Sequence, residues 1–184
     1  MYNAIGLLEF RSIAKGIEAA DAMVKTANVD LLVAGTLCPG KYLAIVAGEV
    51  AAVESAVRSG AAIGQEELVD ELVIANVHPD LFPALTASTT IDPKTIESVG
   101  VIETYSIAAS VAAADIAAKA AEIKLIEVRL ARGLGGKSFV CLAGKVAEVR
   151  SAVEQGSRYP KDQGLLVNSV VIPSAHPSLI EKLL

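Results

Sequence analysis

The 184 residues contain no tryptophan, only two cysteines and only two histidines, and no apolar stretch runs to about 18 residues without a charge. Each scarcity removes a class of reading. Without a long apolar run no transmembrane helix is expected. The opening "MYNAIGLLEFRSIAKG" lacks the basic start, long apolar run and cleavage site of a signal peptide. No run of Lys or Arg marks a nucleic-acid or anionic-membrane partner, and the net charge is −5. Two cysteines far apart in sequence make no disulfide framework, so a cytoplasmic chain with reduced thiols is expected. Neither paired acids in a motif nor a Ser/His/Asp order stands at convincing positions, and no enzyme is expected. What the chain does have is alanine. Hydrophobic residues make up 53% and Ala supplies much of that, which suits small-residue helices packed on a sheet and flat interfaces between subunits.

The chain repeats itself. "IGLLEFRSIAKGIEAADAMVKTANVDLL" (5–32) lies over "VGVIETYSIAASVAAADIAAKAAEIKLI" (99–126), sharing Gly6/Gly100, Glu9/Glu103, Ser12/Ser106, Asp21/Asp115 and Lys25/Lys119. "GKYLAIVAGEVAAVESAVRSG" (40–60) lies over "GKSFVCLAGKVAEVRSAVEQG" (136–156), and each half ends on His-Pro, at His78 and His176. Roughly two in five positions of the aligned blocks are identical, a duplication rather than a solenoid. The boundary is expected in the polar stretch "TASTTIDPKTIES" (86–98), giving domains 1–88 and 97–184.

Each half reads as a small α/β domain. A strand over 4–10 leads to Ser12, an N-cap, and then to a helix. Ile13, Ile17, Ala20 and Val24 form its expected inner face, kept in the second copy as Ile107, Val111, Ala114 and Ala118. Strands over 29–34 and 41–48 flank a turn. A second helix follows, with Val50, Val53 and Val57 inward and Gly60 as expected C-cap. A late strand over 72–77 and a short helix after His-Pro close the unit.

The turn between the middle strands is "TLCPGK", Thr36, Leu37, Cys38, Pro39, Gly40 and Lys41. Pro-Gly puts the thiol at an exposed tip. One thiolate per chain is too few for a zinc site or an iron–sulfur cluster. By itself Cys38 reads as an ordinary small turn residue. The second copy's turn, "ARGLGGK", is two residues longer and has no cysteine. Its Gly133, Leu134, Gly135 and Gly136 fit neither the P-loop nor the dinucleotide fingerprint.

The ordered segments "AIGLLE…SIAKGIEAADAMVKTANVDLLV…GKYLAIVAGEVAAVESAV…HP", present twice, resemble the bacterial microcompartment shell domain. The whole chain resembles a tandem-domain shell protein, and "NVDLLVAGTLCPGKYL" is most similar to the T-type shell proteins of propanediol-utilisation compartments. The resemblance implies two ferredoxin-like α/β domains, a homotrimer forming a pseudohexamer around a central pore, and a place in a compartment shell beside other shell proteins. It also implies a [4Fe–4S] cluster at the pore, held by Cys38 of each chain with a non-protein fourth ligand. Such a cluster would serve electron transfer across the shell, or cluster delivery, to a lumenal or cytosolic redox enzyme. The two turns would then alternate around the pore as its loops. Lys25 and Lys119 would lie at the shell edge where neighbouring assemblies meet, although as local chemistry an i,i+4 ion pair with Asp21 or Asp115 suffices.

The remaining singled-out residues carry simpler expectations. Lys41 and Lys137 follow the turns and would lend positive potential there. Cys141, in "SFVCLAG", takes the place of Ile45 and reads as a buried small hydrophobe. His78 and His176 read as structural residues at helix starts. The family arginine before His-Pro is missing, since the chain has "IANVHP" and "IPSAHP", so edge contacts are expected to be weaker or more selective. Two other functions stay open on the residues alone, a metal-free structural tile or metabolite pore and a small-molecule-binding regulatory trimer.

Overall fold

The computed structural model describes residues 2–184, and the chain divides into two compact units, Met1–Val77 and His78–Leu184. The first runs β1 (Ala4–Phe10), α1 (Ile13–Thr26), β2 (Asp30–Leu37), β3 (Lys41–Gly48), α2 (Val50–Ile63) and β4 (Leu68–Ala75). The second opens with α3 (Leu81–Leu85) and a 3-10 turn at Pro93–Thr95. It continues through β5 (Ser98–Thr104), α4 (Ile107–Ala120), β6 (Lys124–Arg129), β7 (Ser138–Gly144), α5 (Val146–Asp162), β8 (Leu166–Pro173) and α6 (Pro177–Leu183).

Each unit holds one antiparallel four-stranded sheet, ordered β2-β3-β1-β4 in the first and β6-β7-β5-β8 in the second. That βαββαβ order is the ferredoxin-like arrangement that the family resemblance implies. Even the irregularities are duplicated. The edge-strand register shifts between Leu31 and Val33 in one sheet and between Leu125 and Glu127 in the other. Ser12 and Ser106 cap their helices, each hydroxyl accepting from the backbone N–H three residues on.

The helix face of the first sheet is built from Leu8, Phe10, Ala44 and Val46 against Ala19, Ala20, Met23, Val53, Ala56 and Val57. The expected inner face of α1 is corrected here: Gly16, Ala19, Ala20 and Met23 point inward, while Ile13, Ile17 and Val24 are exposed. The reason is closeness. A Cβ on Gly16 would stand 2.5 Å from Tyr42, so the helix can approach the sheet only along its small-residue stripe, which turns the branched residues outward. Gly60 is likewise not the C-cap of α2. It sits inside the helix, where a Cβ would stand 2.7 Å from Leu8 and from Met23, and Gly64 takes the cap. β2 and β4 also extend beyond their expected spans, to Leu37 and back to Leu68.

Residues 78–88, which the repeat places in the first domain, pack with the second unit. α3 lies on β6 and α4 there, with Leu81 and Ala84 fully buried. The His78 N–H donates to the Asp115 carboxylate at 2.7 Å, and Lys124 pairs with Asp80 at 3.1 Å.

Candidate functional site

The two β-turns at the ends of the edge strands are the candidate site. In the first unit Leu37 pairs with Lys41 across the ladder, leaving Cys38, Pro39 and Gly40 as the whole turn. The Cys38–Pro39 peptide is cis, and Gly40 has φ +70, a conformation that suits a residue without Cβ. Leu37 is buried, Cys38 half-buried, and Thr36, Pro39 and Gly40 are exposed. Cys38 carries a free thiol.

The matching turn in the second unit spans Leu130 to Lys137 between β6 and β7. Gly133, Gly135 and Gly136 all have positive φ, and the Lys137 N–H closes the turn on the Leu134 carbonyl at 3.1 Å. Gly133 and Gly135 are exposed and Leu134 half-buried. The Ser138 hydroxyl donates to the Arg129 carbonyl at 2.6 Å, tying the two strands together below the turn. Arg129 is ion-paired with Glu127 and lies over the Phe139 ring at 5.7 Å.

The lysines after the turns do not lend free positive potential, which corrects the expectation. Lys41 bonds Glu9 at 2.9 Å and Lys137 bonds Glu103, so each base of a turn is locally neutral. The Glu103 hydrogen bond raises the Lys137 pKa. The sequence signal for these partners was the shared Glu9/Glu103 position, but only the antiparallel register, with Glu9 opposite Leu43, places the glutamates beside the lysines.

Among the described residues no group of three or more His, Cys, Asp or Glu side chains converges to hold a metal. One chain therefore offers a [4Fe–4S] cluster a single thiolate, and the donor set fits that group only where a symmetry axis brings several Cys38 turns together. Cys141 is separate from this site. It is 2% exposed on β7, and burial, followed by the nearby Glu127, pushes its thiol up to about 12.

Lys25 and Lys119 form the i,i+4 pairs, at 2.6 Å to Asp21 and 2.5 Å to Asp115. They are not equivalent in setting. Asp115 is buried and also accepts the His78 N–H, whereas Asp21 is exposed. His176 is the N-cap of α6 and His78 stands two residues before Asp80, the N-cap of α3; each Nδ1 accepts a backbone N–H two residues on at 3.2 Å.

Comparison with known proteins places this geometry. The BMC domain model matches residues 4–77 and again 98–175. The chain is 45% identical over 179 residues to the bacterial microcompartment shell protein PduT of Citrobacter freundii, covering 97% of this chain and 96% of that protein. It is 44% identical over 81 residues to the bacterial microcompartment shell protein EutM of Salmonella typhimurium, covering 43% of this chain and 84% of that one. A crystal structure of a microcompartment protein from Desulfitobacterium hafniense superposes with a TM-score of 0.93 at 47% identity, over 98% of this chain and 99% of the other.

Proposed function

The chain belongs to the bacterial microcompartment shell-protein family, as a tandem of two BMC domains, and on that premise we propose that it is a shell building block in which three copies close into a ring of six domains around a pore. The observation that carries this reading is the duplication itself: two complete sheets of one topology in one chain, so that threefold closure supplies six similar wedges. Lys25 and Lys119 would then face neighbouring assemblies in a layer with other shell proteins. Light scattering and electron microscopy test it. A mass of three chains and flat assemblies are expected, and a stable single chain at micromolar concentration would sink the proposal.

A second reading adds chemistry at the pore, and the half-buried free thiol of Cys38 at a tip that nothing else crowds favours it. In a threefold ring the Cys38 turns meet the axis and the cysteine-free turns of 130–137 stand between them as spacers. Three Cys38 thiolates would hold a [4Fe–4S] cluster with a non-protein fourth ligand. Bound there, such a group supplies one-electron redox chemistry across the shell, for a redox enzyme on either side. Glu9 and Glu103 neutralise Lys41 and Lys137 at the turn bases, so these two lysines add no net positive charge around the thiols. Iron and acid-labile sulfide per ring, with the electron-spin spectrum, measured on anaerobically purified protein beside Cys38→Ser, separate the two. About four irons per ring, lost in the serine variant with the ring intact, are expected for a cluster site. Iron-free rings after reconstitution leave the plain tile.

A further inference from the structure

The edge strands of the two sheets share an irregularity and differ in what it carries. In β6 the register slips between Leu125 and Glu127, which leaves Ile126 as the extra residue of a bulge. On a regular strand Ile126 and Glu127 would point to opposite faces, whereas here both line one cleft, together with Arg129. β2 slips at the same place, between Leu31 and Val33. It carries no charge there, since Val33 stands for Glu127 and Gly35 for Arg129. The third charged residue of the cleft, Lys182, has Ala84 as its counterpart. Three charges thus enter the second copy together, and the first copy builds the same sheet without them.

The cleft measures about 230 Å³ and lies within the second unit, with Thr89, Ile126, Glu127, Arg129, Lys182 and Leu183 in its lining. Arg129 is fixed in place. Its Nε and Nη2 donate to the two carboxylate oxygens of Glu127, and the Phe139 ring lies 5.7 Å from the guanidinium carbon. Its Nη1 has no partner among the described residues. Lys182, in the last turn of α6, likewise has no ion pair or hydrogen bond among them. Thr89 Oγ1 is buried with no partner, although buried hydroxyls in folded chains are nearly always satisfied. The donors therefore outnumber the acceptors. Two cationic side chains against one carboxylate leave a single positive charge in excess, beside the apolar Ile126 and Leu183.

We propose that this cleft binds a small organic monoanion, a carboxylate with a short aliphatic tail. Lys182 Nζ and Arg129 Nη1 donate to the ligand's carboxylate, which also gives the Thr89 hydroxyl the acceptor it lacks. The tail lies against Ile126 and Leu183. Glu127 serves as a positioning residue, since it holds the Arg129 fork and does not itself meet an anion. The volume sets the ligand's size, because drug-sized sites run to roughly 300–1,000 Å³ and this one is smaller. Every residue invoked belongs to one unit, so the inference stands or falls apart from the ring and the thiol site.

The experiment titrates the full chain, methyl-labelled at Ile, Leu and Thr, with sodium butyrate at constant ionic strength. Saturating shifts of the Ile126, Leu183 and Thr89 methyl signals are expected, with none from the uncharged butyramide. Lys182→Ala, at an exposed position that the fold does not need, is expected to weaken butyrate binding about tenfold. Thr89→Val is expected to weaken binding several-fold while the free protein unfolds at an unchanged or higher temperature. A hydroxyl with a merely structural role would not couple to butyrate. No saturation by butyrate on the order of 100 mM overturns the proposal. So do equal shifts with butyramide, or a Lys182→Ala chain that binds butyrate as the unsubstituted one does.

Discussion

α1 and α4 occupy the same place in two copies of one domain, yet one is half open and the other buried on nearly every side. Their sequences differ in the direction of that burial. α1 keeps Lys15, Glu18 and Asp21 on its outer side, with Lys15 bonded to Glu18 at 2.8 Å, whereas α4 has Ala109, Ala112 and Asp115 at the same positions. A helix that is apolar all round is one that is enclosed. Duplication thus let one copy specialise for contacts inside the chain while the other retained charges that tolerate exposure.

The sharpest way to break the comparison is to put one carboxylate into both helices. Val111→Glu buries an unpaired charge and is expected to cost the second unit about 3–5 kcal/mol by urea unfolding. Ile17→Glu is expected to change the fold of the single chain by less than about 0.5 kcal/mol. Equal losses at the two sites would mean that the exposed face of α1 is held by something within the chain.

The two cysteines extend the contrast. Ellman's reagent is expected to titrate one thiol per native chain, Cys38, and both after denaturation, because Cys141 is buried. The Cys141 pKa is raised from 9.0 to about 12, so the native state resists ionising it. Below pH 9 both states keep the proton and stability is indifferent to this group. Between pH 9 and 12 only the unfolded chain loses it, and stability falls by about 1.4 kcal/mol per pH unit. Cys141→Val is expected to remove that increment from the alkaline limb of a stability profile, and an unchanged limb would count against it.

The paired aspartates should differ more modestly. Asp115→Ala leaves the His78 N–H without its acceptor and is expected to cost about 1–3 kcal/mol. Asp21→Ala breaks an exposed i,i+4 pair worth a few tenths of a kcal/mol in the single chain. Thermal unfolding of the two variants measures the gap, and a reversed order would refute it. The smallest effect is expected for Lys25→Ala, whose side chain is 72% exposed. Folding should move by a few tenths of a kcal/mol at most. The change should show in how rings associate into layers, read by sedimentation, and an unaltered layer would remove Lys25 from the shell edge.

Much of this was legible in the residues. Ser12 and Ser106 cap helices where a hydroxyl before an apolar period predicts it. Cys38 stands in a turn because Pro-Gly follows it, and Cys141 is buried because an alternating apolar strand surrounds it. Glu9 was visible as a shared position but not as the partner of Lys41, since 32 residues separate them and only strand register joins them. Asp115 was read as one end of an i,i+4 pair, and its acceptance of the His78 N–H was hidden because a backbone donor leaves no mark in a sequence.

By itself, then, the sequence determined that there are two copies of one α/β unit, which residues start their helices, and where the lone accessible thiol stands. These are local matters, settled by periodicity, capping and turn chemistry. Only the tertiary structure decided which stripe of α1 packs inward and which unit holds residues 78–88. Ile13, Ile17 and Val24 have the spacing and apolarity of a core face, and nothing in a one-dimensional pattern separates a stripe facing its own sheet from one facing outward. The separation comes from Gly16, whose missing Cβ lets Tyr42 lie against the helix backbone and leaves the larger side chains on the far side.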